Sequence, residues 1–288
     1  MPDASLETIT TAPGLTFDTL AAGPADAPLV LLLHGFAESM HCWQKQLPAL
    51  AAAGYRAVAP SQRGYSPGAR PDTAVYSNYA FDHLVADAVA IAESCGGAGR
   101  RFHLVGHDWG GSLAWAIADR VPQHIASLTI LSRPHPIAFN RALELPDGEQ
   151  KRRSAHHKWF LESDAVARLL ADDARWLRER HRANGVPAEA TERHLAVIGN
   201  EAAMSAALAW YRARGTHHKP VGVTTVPTLY LWGDADDTVG RVAAEGTGDF
   251  VSAPYRFAVL PGGGHFVADQ FPDEVNVLLL AHLAKHRV

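Results

Sequence analysis

The chain has 288 residues, 47% of them hydrophobic and 19% charged, with a formal net charge of −4. That length carries one sizeable core with room for an insertion, and the weak negative charge gives no electrostatic reason to expect nucleic acid or an anionic membrane as partner. Two cysteines, Cys42 and Cys95, are too few for a disulfide framework and lack metal-ligand spacing. Residues 1–13 hold no basic or apolar leader region, and no run approaches the roughly 20 apolar residues of a membrane span, so a cytoplasmic protein is expected. The sixteen histidines include the pairs His156-His157 and His217-His218. Adjacent side chains project in different directions, so no metal site is expected.

Short apolar runs alternate with helical patterns, the mark of a mostly parallel sheet covered by helices. Residues 28–33 read as a buried strand ending in His34-Gly35, and 55–59 as another, stopped by Pro60. Helical spacing covers 80–95 and stops at Gly96-Gly97. A strand over 102–105 runs into Gly106-His107-Asp108-Trp109-Gly110-Gly111, and a helix follows to Asp119. Strands are expected at 125–131, 227–232 and 255–260, and a closing helix at 272–285. From 134 to 221 no strand-like run occurs and apolar residues keep helical spacing. The expected organisation is a core of 1–133 and 222–288, interrupted by a helical insertion over 134–221 whose dense charges are solvated faces.

The strand, turn and helix around Asp108 have the context of a nucleophile elbow. Flanking glycines permit a strained turn and close packing of helix on strand. The centre is a carboxylate where an esterase has serine. Asp108 is ionised at neutral pH without a base and can displace a leaving group from saturated carbon, leaving an alkyl ester on the protein. Taken alone, an aspartate at a strand–helix junction is commonly a helix cap. Its partners argue for chemistry. The chain order for such a site is nucleophile, acid, histidine. The strand over 227–232 runs into Gly233-Asp234-Ala235-Asp236-Asp237, and the last strand into Gly262-Gly263-Gly264-His265-Phe266. Both lie past C-terminal strand ends, where open α/β sheets gather their sites. His265 would deprotonate water, and Asp236 would fix its tautomer and stabilise the imidazolium. Asp236 is preferred to Asp234, which is read as structural; after the strand over 125–131 come Ser132 and Arg133, with no carboxylate. The backbone N–H groups of Phe36 and Trp109 are the candidate oxyanion hole.

These residues, together with Gln62-Arg63-Gly64-Tyr65, Pro134-His135-Pro136 and Ala209-Trp210-Tyr211-Arg212, resemble the epoxide hydrolase and haloalkane dehalogenase branch of the α/β-hydrolase family. The resemblance spans nearly the whole chain. It implies an α/β fold with a helical cap over the active site, a two-step covalent mechanism, no cofactor, and a small, mostly apolar organic substrate; it leaves a homodimer open. Epoxide hydrolases of this branch activate the ring oxygen with two cap tyrosines. Tyr211, between Trp210 and Arg212, matches the second. Four residues before Phe160, where the first normally stands, is His156, with His157 as the competing candidate. Some relatives use such a His/Tyr pair.

Hydrolytic dehalogenation is the alternative on the same nucleophile, with Trp109 and Trp159 as halide donors. Phe36 occupies the position where many dehalogenases carry an asparagine donor, which argues against it. Trp109 stands where fluoroacetate dehalogenases place an arginine. Two further departures are Ala37, where proline is usual, and Ser61, where aspartate is common. A noncatalytic ligand-binding protein on the same fold is the third reading, disfavoured because nucleophile, acid and base are all present.

Overall fold

The structure, a computed structural model, describes residues 4–96, 99–146, 148–214 and 219–288. The His217-His218 pair and Gly97 of the expected helix stop lie outside the described residues.

Five consecutive apolar residues form β3 (Leu29–Leu33), and all are buried. Successive side chains of a strand point to opposite faces, so a strand without polar residues must be covered on both. Leu31 and Leu33 join one core, and Val30 and Leu32 join another on the opposite face. In β5 (Phe102–His107), Leu104 and Val105 divide in the same way. With β4 (Arg56–Pro60), β6 (Ile125–Leu131), β7 (Thr228–Gly233) and β8 (Tyr255–Leu260) these strands make the parallel part of an eight-stranded sheet of order β1-β2-β4-β3-β5-β6-β7-β8. The first two strands, β1 (Ser5–Ala12) and β2 (Leu15–Ala22), form an antiparallel hairpin on one edge. The sequence reading did not anticipate it. No residue of β1 is buried, so this edge strand carries no apolar run to announce it.

Helix α1 (Gln46–Ala52) covers one face with Leu47 and Leu50, beside Leu279 and Leu283 of α12 (Pro272–Lys285) and Val267 of α11 (Val267–Gln270). On the other face lie α2 (Phe81–Gly96), α3 (Asp108–Arg120) and the short α10 (Arg241–Glu245). The fold is therefore α/β, with a mostly parallel sheet flanked by helices, as expected. None of the described helices is long and apolar enough to cross a membrane.

Between β6 and β7 run α4 (Pro136–Glu144), α5 (Glu149–Arg153), α6 (His156–Trp159), α7 (Ala165–Ala183), α8 (Ala188–Ile198) and α9 (Glu201–Arg212). Helix α7 bends sharply, because Asp172, Asp173 and Ala174 take left-handed φ of 50°, 56° and 55°. Alanines on α9 (Ala203, Ala206, Ala207 and Ala209) are buried, letting the helix sit close to the layer beneath. The Trp210 indole donates to the Arg63 carbonyl at 3.0 Å, and buried His194 bridges Ser39 at 3.1 Å and Asp269 at 2.9 Å. These bonds fix the helical segment over the C-terminal ends of the strands.

Candidate active site

Strand β5 ends on His107 and α3 begins on Asp108, whose φ of 46° lies in the left-handed region that non-glycine residues rarely enter. Such strain is tolerated where the surroundings hold it and a side chain must be displayed. The turn can be this tight because Gly110 has no side chain: a Cβ there would lie 2.1 Å from the Leu33 carbonyl oxygen. Asp108 Oδ1 accepts the Phe36 N–H at 3.0 Å. The loop carrying Phe36 is pressed onto the nucleophile, since a Cβ on Gly35 would fall 2.5 Å from Asp108 Cβ. Gln62 Nε2 donates to the His34 carbonyl at 2.7 Å, and Glu38 accepts the Gly35 N–H at 3.1 Å, which hold that loop in place. The Trp109 N–H lies in the first turn of α3, where amides have no intrahelical acceptor.

The other carboxylate oxygen, Oδ2, faces His265 Nε2 at 3.7 Å, beyond hydrogen-bond length. His265 Nδ1 donates to Asp236, whose oxygens lie 3.1 and 3.0 Å away. Asp236 is buried, and its Oδ1 also accepts the N–H groups of Thr238 at 2.7 Å and Val239 at 3.0 Å. Asp234 does something else: it accepts the Gly262 N–H at 2.7 Å and so closes the neighbouring turn. Asp237 pairs with Arg180 at 3.1 Å.

Across from these groups stands the helical segment. A narrow cavity is lined by Asp108, His265, Phe36, Tyr211, His156 and Phe160, among others. The Tyr211 ring packs edge-on against Phe36, Trp109 and Phe160 at 5.1 to 5.3 Å. His157 turns the other way. It lines a second, larger cavity of about 380 Å³ and accepts from Arg214 at 3.1 Å. Trp159 lies against Trp176 at 5.4 Å and beneath Arg168 at 4.6 Å, and is not among the residues lining the cavity at Asp108.

Charge follows from these neighbours. Burial works against an ionised Asp108, but the contacts with His265 and the charges of His107 and Arg133 outweigh it and hold the carboxyl well below its usual range. Burial likewise opposes the His265 cation, yet Asp236 and Asp108 lift its pKa to about 10. Burial lowers His156 to about 4, leaving a neutral imidazole at pH 7. The Tyr211 phenol is raised by burial and by the Asp108 charge, so it stays protonated.

Several residues here escaped the sequence reading. His107 has acceptors at both ring nitrogens, Glu38 Oε2 at 2.7 Å and the His265 carbonyl at 2.8 Å, so satisfying both requires the cation. Burial opposes that charge, and the Glu38 carboxylate offsets it and raises the pKa. Asn184 Oδ1 accepts the His265 N–H at 2.7 Å. Arg153 donates to the Asp236 carbonyl, and Arg180 to Asp237; these arginines of the helical segment are ties to the acid loop, not solvated faces. The signals available were faint: Glu38 follows His34-Gly35 closely, and His107 precedes the nucleophile. Nothing local marks Asn184. Among the described residues no group of three or more His, Cys, Asp or Glu side chains is arranged to hold a metal ion.

A profile of the alpha/beta hydrolase fold matches residues 28–272. The chain belongs to that family. It is 32% identical to epoxide hydrolase 4 of Mus musculus, over 94% of this chain and 77% of that protein. With epoxide hydrolase A of Mycobacterium tuberculosis it shares 28% identity over 94% of each. Among solved structures, epoxide hydrolase A from Mycobacterium thermoresistibile superposes with a TM-score of 0.83 at 27% identity, over 99% of both chains. This α/β-hydrolase is an enzyme, similar over nearly its full described length to proteins named epoxide hydrolases.

Proposed function

We propose that this α/β-hydrolase opens an epoxide to a vicinal diol through an alkyl ester on Asp108. Asp108 Oδ2 attacks a ring carbon and the C–O bond breaks, while the departing oxygen takes a hydrogen bond from His156 and a proton from Tyr211. The phenolate regains a proton from the His265 imidazolium, which leaves His265 neutral. Water next adds to the ester carbonyl, with His265 taking its proton. The oxyanion formed at Oδ1 faces the Phe36 and Trp109 amides. Its collapse breaks the bond to the diol oxygen, which takes the proton of the added hydroxyl, and Asp108 is restored as a carboxylate. The observation that carries the reading is the Phe36 N–H on Oδ1 at 3.0 Å with the His265–Asp236 pair facing Oδ2. One oxygen is thus prepared to carry negative charge and the other to bond to carbon. Esterification also removes the Asp108 charge that helps raise His265. The imidazolium becomes easier to deprotonate in the intermediate, where a base is required. The substrate class is a small, mostly apolar epoxide, and no step calls on a cofactor.

Replacing His265 with Gln tests this. The variant, mixed with styrene oxide and weighed intact, should gain the mass of the whole epoxide, because the ester forms and is not hydrolysed. A gain of an alkyl group from a haloalkane, with no epoxide adduct, would instead establish dehalogenation. No adduct on Asp108 from either class would overturn the covalent mechanism.

A further inference from the structure

The larger cavity, about 380 Å³, lies beside the narrow one, with Trp109 and His157 in its wall next to Asp108 and His156 in sequence. Its surface is mainly apolar, from residues such as Phe81, Leu84, Phe139 and Leu143, and among the described residues no Asp or Glu lines it. Yet two arginines do. Arg133, just past β6, lies over the Phe139 ring at 4.5 Å, and its Nε is buried without an acceptor among the described residues. Arg214, just past α9, stands over the rings of Trp109 at 4.6 Å and Tyr211 at 4.8 Å. Its Nη1 donates to His157 Nδ1, and burial together with the Arg214 charge keeps that imidazole neutral. Neither guanidinium is paired with a carboxylate among the described residues, whereas Arg153, Arg168, Arg178 and Arg180 of the helical segment all are.

The cavity lining therefore holds two guanidinium groups and, among the described residues, no carboxylate; the charge of Asp108 reaches both arginines from outside that lining. Desolvation disfavours the Arg214 cation and the charge of Arg133 works in the same direction, outweighing the support of Tyr211 and Asp108 and lowering its pKa to about 10. Leaving such groups uncompensated is costly, and a planar anionic acceptor relieves both the charge and the missing bonds. Guanidinium forks match carboxylate geometry, and the apolar walls suit a short hydrocarbon chain.

We propose that this cavity is a carboxylate subsite, so that the enzyme acts on epoxides whose short apolar chain ends in an acid held by Arg133 and Arg214. The reacting end of that substrate rests on the epoxide reading above; the anion site does not.

Two measurements separate them. The first compares kcat/KM for an ω-epoxy carboxylic acid with that for its primary amide. The wild-type enzyme should favour the acid, and Arg133→Met or Arg214→Met should reduce the acid-to-amide ratio by roughly 10- to 100-fold. Arg→Lys at either site should recover part of that ratio. The second titrates the enzyme with octanoate and octanamide by calorimetry, with no reaction involved. Binding of octanoate that is tighter than octanamide and lost in both Met variants supports the subsite even if no epoxide is turned over. Equal turnover of acid and amide, with octanoate and octanamide binding alike, overturns the subsite and leaves epoxide hydrolysis standing.

Discussion

Exchanging Asp236 for Asn separates the two chemical steps. Asp236 Oδ1 alone holds the Thr238 and Val239 amides, at 2.7 and 3.0 Å, so the Asn oxygen can keep both bonds and the loop should survive. The other side of the group changes. An amide NH2 facing His265 Nδ1 forces the proton onto Nε2, which then points at the ester as a donor and cannot accept a proton from water. The variant also loses the carboxylate that does most to raise the His265 pKa. By analogy with acid-to-amide changes in other triads, hydrolysis of the ester should slow by on the order of 10³- to 10⁴-fold. Formation of the ester should fall by less than about tenfold, because Asp108 is already ionised and needs no base. Rapid mixing with styrene oxide, quenching and intact-mass measurement follow both steps at once. The expected trace is ester that forms quickly and persists. Equal slowing of both steps, or steady-state turnover within about tenfold of wild type, would refute the role given to the Asp236–His265 pair.

Replacing Tyr211 with Phe removes the phenol that faces Asp108 in a buried site and should slow ester formation by roughly 100-fold, the cost of one well-placed donor to a developing oxyanion. Hydrolysis of ester already formed should change little, and formation at the wild-type rate would remove Tyr211 from the mechanism. The protein should also be unusually acid-sensitive. Burial lowers His34, His135 and His282 to about 4 and His103 and His181 to about 3. Between pH 6.5 and about 4 the unfolded chain takes up protons that these imidazoles refuse in the native state, so stability falls with falling pH by roughly 1.4 kcal/mol per pH unit for each. Glu38, lowered to about 2 because His107 outweighs its burial, is a carboxylate whose contribution is likewise lost on acidification, below its ordinary range. His265 acts at the opposite end: its stabilisation is complete below about pH 6.5 and is lost as pH rises through about 10. A melting temperature flat from pH 6.5 to 4.5 would contradict the histidine assignments.

Much of the fold could be read from the chain because the inner parallel strands are buried on both faces, which forces continuous apolar runs such as Leu29–Leu33. The edge hairpin β1–β2 was unreadable for the converse reason, since a strand with an open face needs no such run. In β5 the run extends through Gly106 and His107, two residues beyond the apolar stretch, because the sheet pairing continues to the elbow.

By itself the sequence determined the places where chemistry can occur. A glycine-flanked carboxylate at a strand–helix turn, and an acid and a histidine past later strand ends, are local patterns that spacing reveals. The tertiary structure decided which groups meet. It put the Phe36 amide on Asp108 across 72 residues of chain, brought Asp236 to His265 while Asp234 caps a turn, and turned His156 towards Asp108 and His157 towards Arg214. Neighbouring residues on one helix turn are indistinguishable by pattern. Only packing against distant elements, which sets direction, burial and charge together, tells them apart.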